Sequence, residues 1–344
     1  MKPFLLKSVS TWNVEPPHSF TALPVALFFK FCYPSSLSWQ IKKTTGTRRA
    51  GARNVPPKKF AGQGKIMDAK KFPISIASYS FHGLLKDKRT DVFAYLEDLK
   101  FRYNVDYADI WNRGLPSMEE DVLKKVRASM DEKGITLANF CVDGPHIWVD
   151  DEAERAKNYK GAHEHLQAGI LLGAKTVRID MGAREEGDVP AEKMDYIAKV
   201  YRELAQIAYD NGMRIGTENH WGSSRYPKNL DILYKAVDHK GYGHLFHFTN
   251  FVEGQVEAGM EAVLKMAMHT HVPANSMPVA KEYIRRLVNA GYKGTFSIEH
   301  HSGKHEYQRV AWQLATVRGL IAELCEEGFD KPAEPDFFKT IYAK

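Results

Sequence analysis

Ile215-Gly-Thr-Glu218-Asn-His220 is a short apolar run that ends in a carboxylate and an imidazole, with helix-like sequence on either side. Three later runs share this grammar: Leu245-Phe-His247-Phe-Thr-Asn250, Met268-His-Thr-His271-Val and Phe296-Ser-Ile-Glu299-His-His301. Runs of this length between helical segments read as successive parallel strands. Their C-terminal ends then point the same way and deliver Glu218, His247, His271 and Glu299 to one place. Two carboxylates and two imidazoles converging there form a set able to hold a divalent metal.

The same alternation extends backwards to Phe72. Strands are predicted at Ile74–Phe81, Tyr107–Trp111, Ile135–Val142 and Lys175–Met181, then at Met213–Glu218, Gly243–Phe248, Ala267–Val272 and Gly294–His300. Between and after them, helices are predicted at Asp91–Tyr103, Glu119–Lys133, Asp151–Leu172, Ala191–Asp210, Lys228–Val237, Val256–Lys265, Pro278–Asn289 and His305–Glu327. Glycines just beyond the second and third helices, Gly134 and Gly173, are natural caps. Eight such units over about 260 residues match a (β/α)8 barrel. A doubly wound open sheet would need a glycine-rich first turn, and Ser80-Phe-His-Gly83 is not one.

In such barrels the active site lies at the C-terminal ends of the strands, where the four candidate ligands fall. Side chains two apart on a strand share a face. Glu218 therefore shares one with His220, His247 with Thr249, His271 with His269, and Glu299 with His301. Each candidate ligand is followed, or in the His269/His271 pair preceded, by a polar neighbour on its own face. His271 is nearer the mouth than His269, which suits a supporting role for His269. Asp180, after Arg178, is either a supporting carboxylate or that arginine's partner. Aromatic residues follow several strands: Phe81-His82, Trp111-Asn112-Arg113, His146-Ile-Trp148 and Trp221. Aromatic walls with scattered polar groups suit a sugar or polyol.

Charge narrows the function classes. Of 48 Lys/Arg and 42 Asp/Glu, residues 1–66 hold 11 basic side chains against one acid, Glu15. The remainder thus carries 37 basic and 41 acidic groups, a mildly acidic body unlike a nucleic-acid-binding domain. Three distant cysteines, Cys32, Cys141 and Cys325, fit neither a disulfide framework nor a thiolate metal site and suit a reducing, cytoplasmic location. No apolar run reaches the roughly 18–20 residues of a membrane span. The basic, Pro/Ser/Thr-rich segment 1–66 reads as a targeting peptide or, preferably, as a disordered extension upstream of a natural start at Met67. The barrel with its tail then occupies 67–344. From about residue 328 that tail carries Phe329, Phe337, Phe338, Ile341 and Tyr342, which suits a homodimer contact or a wrap around its own barrel.

Thr217-Glu218-Asn-His220, His271-Val272 and Ser297-Ile-Glu299 resemble the sugar phosphate isomerase/epimerase group of the xylose isomerase-like TIM barrels. The resemblance covers about Phe72–Glu327. It implies one divalent ion (Mn, Co, Zn or Mg) held by Glu218, His247, His271 and Glu299, with Glu218 and Glu299 moving protons beside a substrate carbonyl through an enediolate. The strand-six ligand in the group is usually Asp, in Asp-x-Gly-Asn-Phe, where this chain reads His247-Phe-Thr-Asn250-Phe. That exchange removes a negative charge and favours Zn, Co or Fe over Mg. A lyase or dehydratase expelling a β-leaving group, and a non-catalytic sugar-binding barrel, are the alternatives. The endonuclease branch is not expected, because its additional metal ligands are missing. The implied partner is a small sugar or polyol, contacted by His82, Trp111, His146, His220, Trp221, Asn250 and His301. No glycine-rich phosphate cradle is evident.

Overall fold

The computed structural model describes residues 68–329. Eight parallel strands close in chain order: β1 Ile74–Ala77, β2 Tyr107–Trp111, β3 Thr136–Val142, β4 Thr176–Ile179, β5 Arg214–Glu218, β6 Tyr242–His247, β7 Ala267–Pro273 and β8 Phe296–Glu299. Because β1 pairs with both β2 and β8, the sheet has no free edge. The expected (β/α)8 barrel is the observed one.

The helices of the outer ring are α1 His82–Lys86 and α2 Val92–Glu97 after β1, α3 Glu120–Lys133, α4 Glu152–Leu172, α5 Ala191–Asp210, α6 Pro227–Val237, α7 Val256–Val263, α8 Met277–Asn289 and α9 Glu306–Glu327. Their apolar stripes face the strands. In α5, Met194, Ile197, Ala198, Tyr201, Leu204, Ala205 and Ala208 recur at helical spacing and are buried. The Tyr201 hydroxyl satisfies itself by donating to Ile179 O at 2.5 Å, on the strand beneath. Gly134 ends α3 at φ 64, a left-handed cap. A closer constraint sits at Gly216, opposite Gly243 on β6: a Cβ there would lie 1.7 Å from Gly243 O. Glycine at that position lets β5 and β6 approach immediately below Glu218.

Several predicted elements are shorter than expected, β1 and α2 most of all. β1 stops at Ala77, and Ser78–Phe81 curls into a 3-10 turn. Its hydroxyls secure neighbouring strand ends: Trp111 N donates to Ser78 Oγ at 2.8 Å, and His300 N donates to Ser80 Oγ at 3.0 Å. α2 stops at Glu97, and Asp98–Arg102 continues as a wide turn in which Tyr103 N donates to Asp98 O at 2.9 Å. Strand register slips at two places, between Ala108 and Asp109 on β2 and between His244 and Leu245 on β6. Such irregularities re-aim side chains, and each lies beside a residue important below.

Among the described residues, no helix is long and apolar enough to cross a membrane. Cys141 and Cys325 are free and buried. Phe329, the first aromatic of the tail, is buried with its ring centroid 4.2 Å from that of Phe72, on its own barrel. The extension 1–66 and the rest of the tail, and with it the homodimer expectation, lie outside the described residues.

Candidate active site

The barrel interior at its C-terminal end is polar where many barrels are aliphatic. Glu218 from β5, His247 from β6, His271 from β7 and Glu299 from β8 meet there, all buried. His247 Nδ1 lies 2.9 Å from Glu218 Oε1 and 3.7 Å from Glu299 Oε2. His271 Nδ1 lies 3.2 Å from each of the same two oxygens. Each imidazole thus lies near both glutamates; Glu218, His247 and His271 form one group able to hold a metal ion, and His247, Glu299 and His301 form another.

That set fits a divalent ion. Ligand bonds of about 2.0–2.1 Å in a tetrahedral site separate neighbouring donor atoms by about 3.3 Å, close to the spacings seen. The ring of His271 adds a second argument. Its Nε2 faces Asp109 Oδ2 at 3.1 Å while its Nδ1 faces two carboxylates. A neutral imidazole has one N–H and cannot satisfy acceptors on both sides, so the ring needs either a second proton or a cation between Nδ1 and the glutamates. Glu299 Oε2 points the same way, being buried without a well-directed hydrogen bond despite its imidazole neighbours.

Beneath the ligand set, Asp109 on β2 is fully buried. Its Oδ2 accepts from His269 Nε2 at 2.8 Å and Ser297 Oγ at 2.9 Å as well as facing His271, and its Oδ1 accepts from Asn139 Nδ2 at 2.9 Å. Burial opposes its ionisation, but the charges and hydrogen bonds of His269 and His271 outweigh burial and hold the carboxyl well below its usual range. His269 thus meets Asp109 beneath the candidate ligands.

On the β4 side, Arg178 is 2% exposed. Its NH1 lies 2.8 Å from Asp143 Oδ1 and 3.0 Å from Asp180 Oδ2, NH2 donates to Cys141 Sγ at 2.6 Å, and Nε is 3.0 Å from Glu218 Oε2. The three carboxylates, with Cys141, outweigh desolvation and keep the guanidinium charged. Asp180 pairs with Arg178, and its Oδ2 also lies 3.2 Å from His220 Nδ1.

Both glutamates are held ionised. Burial would raise Glu218, but His220, His271 and Arg178 lower it well below the ordinary value. Glu299 is likewise lowered, against burial, by the charge of His271 and by the close imidazoles of His271 and His301. Each glutamate has an imidazole two residues further along its own chain. His301 Nε2 reaches Glu299 Oε2 at 2.9 Å, whereas His220 lies 3.9 Å from Glu218. Burial lowers the pKa of both imidazoles, but the carboxylates raise it further.

A cavity of about 400 Å³ opens above, lined by His247, Glu299, Arg178, Trp111, His220, Trp221, Asn250 and His301 among others. It brings together five of the seven expected substrate contacts. His82 and His146 line an adjoining outer cleft instead. Asn250 is partly committed, its Nδ2 donating to Asn219 O and His220 O at 2.7 and 2.8 Å. Two mouth aromatics named from sequence are structural. Phe81 is buried against Tyr95, Tyr103 and Tyr307, and Trp148 packs edge-on to Tyr196 beneath Arg155. Tyr79, stacked on His82 and edge-on to Trp111, takes their place at the wall.

Known proteins share this fold. Inosose dehydratase from Histophilus somni (strain 129Pt) is 26% identical over 207 residues, 52% of this chain and 64% of the relative, so the match spans a little under two thirds of that protein. A xylose isomerase-like TIM barrel protein from Mycobacterium smegmatis, solved in complex with magnesium, superposes with a TM-score of 0.60 at 17% identity, covering 75% of this chain and 99% of that one. The 3-keto-D-glucoside 4-epimerase of E. coli superposes with a TM-score of 0.56 at 16% identity, covering 72% and 99%. The model of the xylose isomerase-like TIM barrel family matches residues 99–320, and the chain belongs to that family.

Proposed function

We propose that the protein is a sugar isomerase or epimerase that uses one divalent ion held by Glu218, His247, His271 and Glu299. The observation that carries this reading is the closeness of both imidazoles to both glutamates, with His271 caught between Asp109 and two carboxylates. A divalent ion held by these residues would supply Lewis-acid polarisation of a substrate carbonyl and so acidify the adjacent C–H. Glu299 lines the cavity as a carboxylate and takes that proton, with His301 sharing its Oε2. Glu218, backed by Arg178, and His220, backed by Asp180, serve the opposite face. Trp111 and Trp221 orient the sugar and exclude water.

A β-elimination reading has one specific support, the match to inosose dehydratase. In it, Glu299 takes the same proton and the protonated His220 delivers one to the departing hydroxyl. The substrate thus loses a C–H proton and hydroxide and gains a C=C bond, releasing one water.

The test uses the full chain. Metal analysis should find one divalent ion per chain, and a panel of ketoses and keto-glycosides in D2O should show deuterium entering beside the carbonyl. Glu218→Gln and Glu299→Gln each remove a ligand and a proton-handling group, so exchange should fall by more than the roughly 10²–10⁴ of acid–base catalysis alone. His247→Asp should move metal preference toward Mn or Mg. A wild-type chain without bound metal, or glutamate variants that bind and exchange as before, would sink the proposal. Product mass lower by one water selects the elimination.

A further inference from the structure

The outer cleft, about 1130 Å³, adjoins the inner cavity and shares Tyr79, Trp111, Asp143 and Trp221 with it. Its charge does not match the mildly acidic body. Lys86, Lys88, Arg89, Arg113 and Arg184 line it, and among the described residues none of the five pairs with a carboxylate. Its only acids are Asp91 and Asp143. Asp91 caps α2 by accepting from Ala94 N at 2.9 Å, and Asp143 is held by Arg178 at 2.8 Å and by Trp111 Nε1 at 2.8 Å. Cations elsewhere on the barrel do find partners. Lys281 holds Glu323 and Glu327 at 2.8 Å each, and Arg286 holds Glu257 at 2.8 Å.

Arg184 sits at the join between the two spaces. Its guanidinium lies 4.4 Å over the Trp221 ring and donates to His146 Nε2 at 2.7 Å. Trp221 in turn stacks on His220 at 3.7 Å between centroids. This arginine is therefore held in place by a ring that also walls the inner cavity. Like charges gathered without counter-charges repel one another, and an anion relieves that repulsion through charge-assisted hydrogen bonds. The field also draws anions toward the inner cavity from a distance.

We propose that the substrate of this barrel carries an anionic group, a carboxylate or a phosphate, remote from the reacting carbonyl and seated in this cleft. The inference rests on the proposed function only in taking the inner cavity as the reacting site. Side chains here supply what a glycine-rich phosphate loop supplies elsewhere.

The probes are glucose, glucuronate and glucose 6-phosphate, titrated into the full metal-loaded chain with tryptophan fluorescence and calorimetry as readouts. At low salt at least one charged sugar should bind about tenfold tighter than glucose, an advantage that shrinks as salt rises. In Lys88→Gln/Arg89→Gln/Arg184→Gln the advantage should vanish while metal content stays at the wild-type level. Lys88→Gln/Arg89→Gln, confined to exposed side chains, should lose part of it and guards against misfolding of the triple variant. Whichever charged sugar binds tighter identifies carboxylate or phosphate. Equal affinity for all three sugars overturns the proposal, as does a preference that survives in the triple variant, since the anion would then be binding the metal. A wild-type chain that lacks metal but keeps the charged-sugar preference refutes the proposed function and leaves the cleft standing.

Discussion

The two halves of the barrel contribute to the site in different ways. Strands β5 to β8 supply Glu218, His247, His271 and Glu299, whose donor atoms converge. Strands β2 to β4 supply Asp109, Asn139, Cys141 and Arg178, which lie below and beside that point and hold its members. The later half carries the candidate ligands; the earlier half holds them in place. A polar barrel interior is costly to assemble unless each charge has its partner, and in this barrel the partners come mainly from across the barrel rather than from the same strand.

The sharpest way to break that division is to remove the buried guanidinium that helps to balance it. Arg178 faces Asp143, Asp180 and Glu218, so Arg178→Met leaves buried carboxylates without their counter-charge. A loss of about 3–5 kcal/mol is expected in denaturant unfolding of the metal-free protein. Arg178→Lys keeps the charge but loses the fork that reaches three partners, and should fall between. A loss below about 1 kcal/mol for Arg178→Met would show that the first half is only scaffold.

Asp109→Asn tests the other anchor. Its Oδ2 receives His269, His271 and Ser297, and an amide nitrogen in its place would present hydrogens to imidazoles that also need an acceptor. Removing such an outer partner of a metal ligand typically costs 10–100-fold in metal affinity. Competition with a chelator should show a loss of that order with the fold unchanged in circular dichroism. Unchanged affinity would mean that His271 is oriented by β7 alone.

The same division explains what could be read from the amino-acid order. The later half announces itself, because four strand-like runs each end in a metal-competent residue at nearly regular intervals. Element count and barrel class follow from the alternation, which needs no long-range information. Asp109 is a solitary acid inside Tyr107-Ala-Asp-Ile-Trp111, and nothing local says that it meets His269 and His271 from 160 residues away. The available signal was the charge itself: an acid in the middle of an otherwise apolar strand must have a partner. Arg178 gave the same signal but could be assigned only to Asp180, its neighbour on the strand. Cys141 read as a redox marker, whereas it lines the inner cavity beside Arg178. The shortening of β1 depended on Ser78 and Ser80 meeting Trp111 and His300, contacts invisible from their own segment.

A smaller effect separates the two faces of β6. His247 turns toward the ligand set, while His244 is buried with Nε2 3.2 Å from Asn219 Oδ1. Asn219 also clamps the His247 backbone, accepting from its N and donating to its O at 2.8 Å each. Burial lowers the His244 pKa to about 3, despite the opposing charges of Glu218 and Asp180. The ring is therefore neutral in the fold at pH values where the unfolded chain, with a pKa near 6.5, takes up a proton. Its contribution is complete above about pH 6.5 and is lost as pH falls toward 3, by up to about 1.4 kcal/mol per pH unit. His244→Gln should flatten the acid side of the stability profile of the metal-free protein by that slope. An unchanged profile between pH 4 and 6 would show that His244 is protonated in the fold.

The smallest effect sharpens the comparison within the later half. Thr249, at the cavity wall just beyond β6, holds φ 64 and donates its hydroxyl to Phe248 O at 2.6 Å. A left-handed backbone costs a non-glycine residue about 1–2 kcal/mol, and this is the position at which the resembling sequences carry glycine. Thr249→Gly removes that strain but gives the unfolded chain more freedom, so the net gain should be under about 1 kcal/mol in urea unfolding. Strain kept at a cavity wall implies a use for the side chain that causes it. The same variant should therefore bind a sugar ligand more weakly even as it becomes more stable. Greater stability with unchanged binding would show Thr249 to be a tolerated exchange, and the loop after β6 would then contribute to the site through His247 and Asn250 alone.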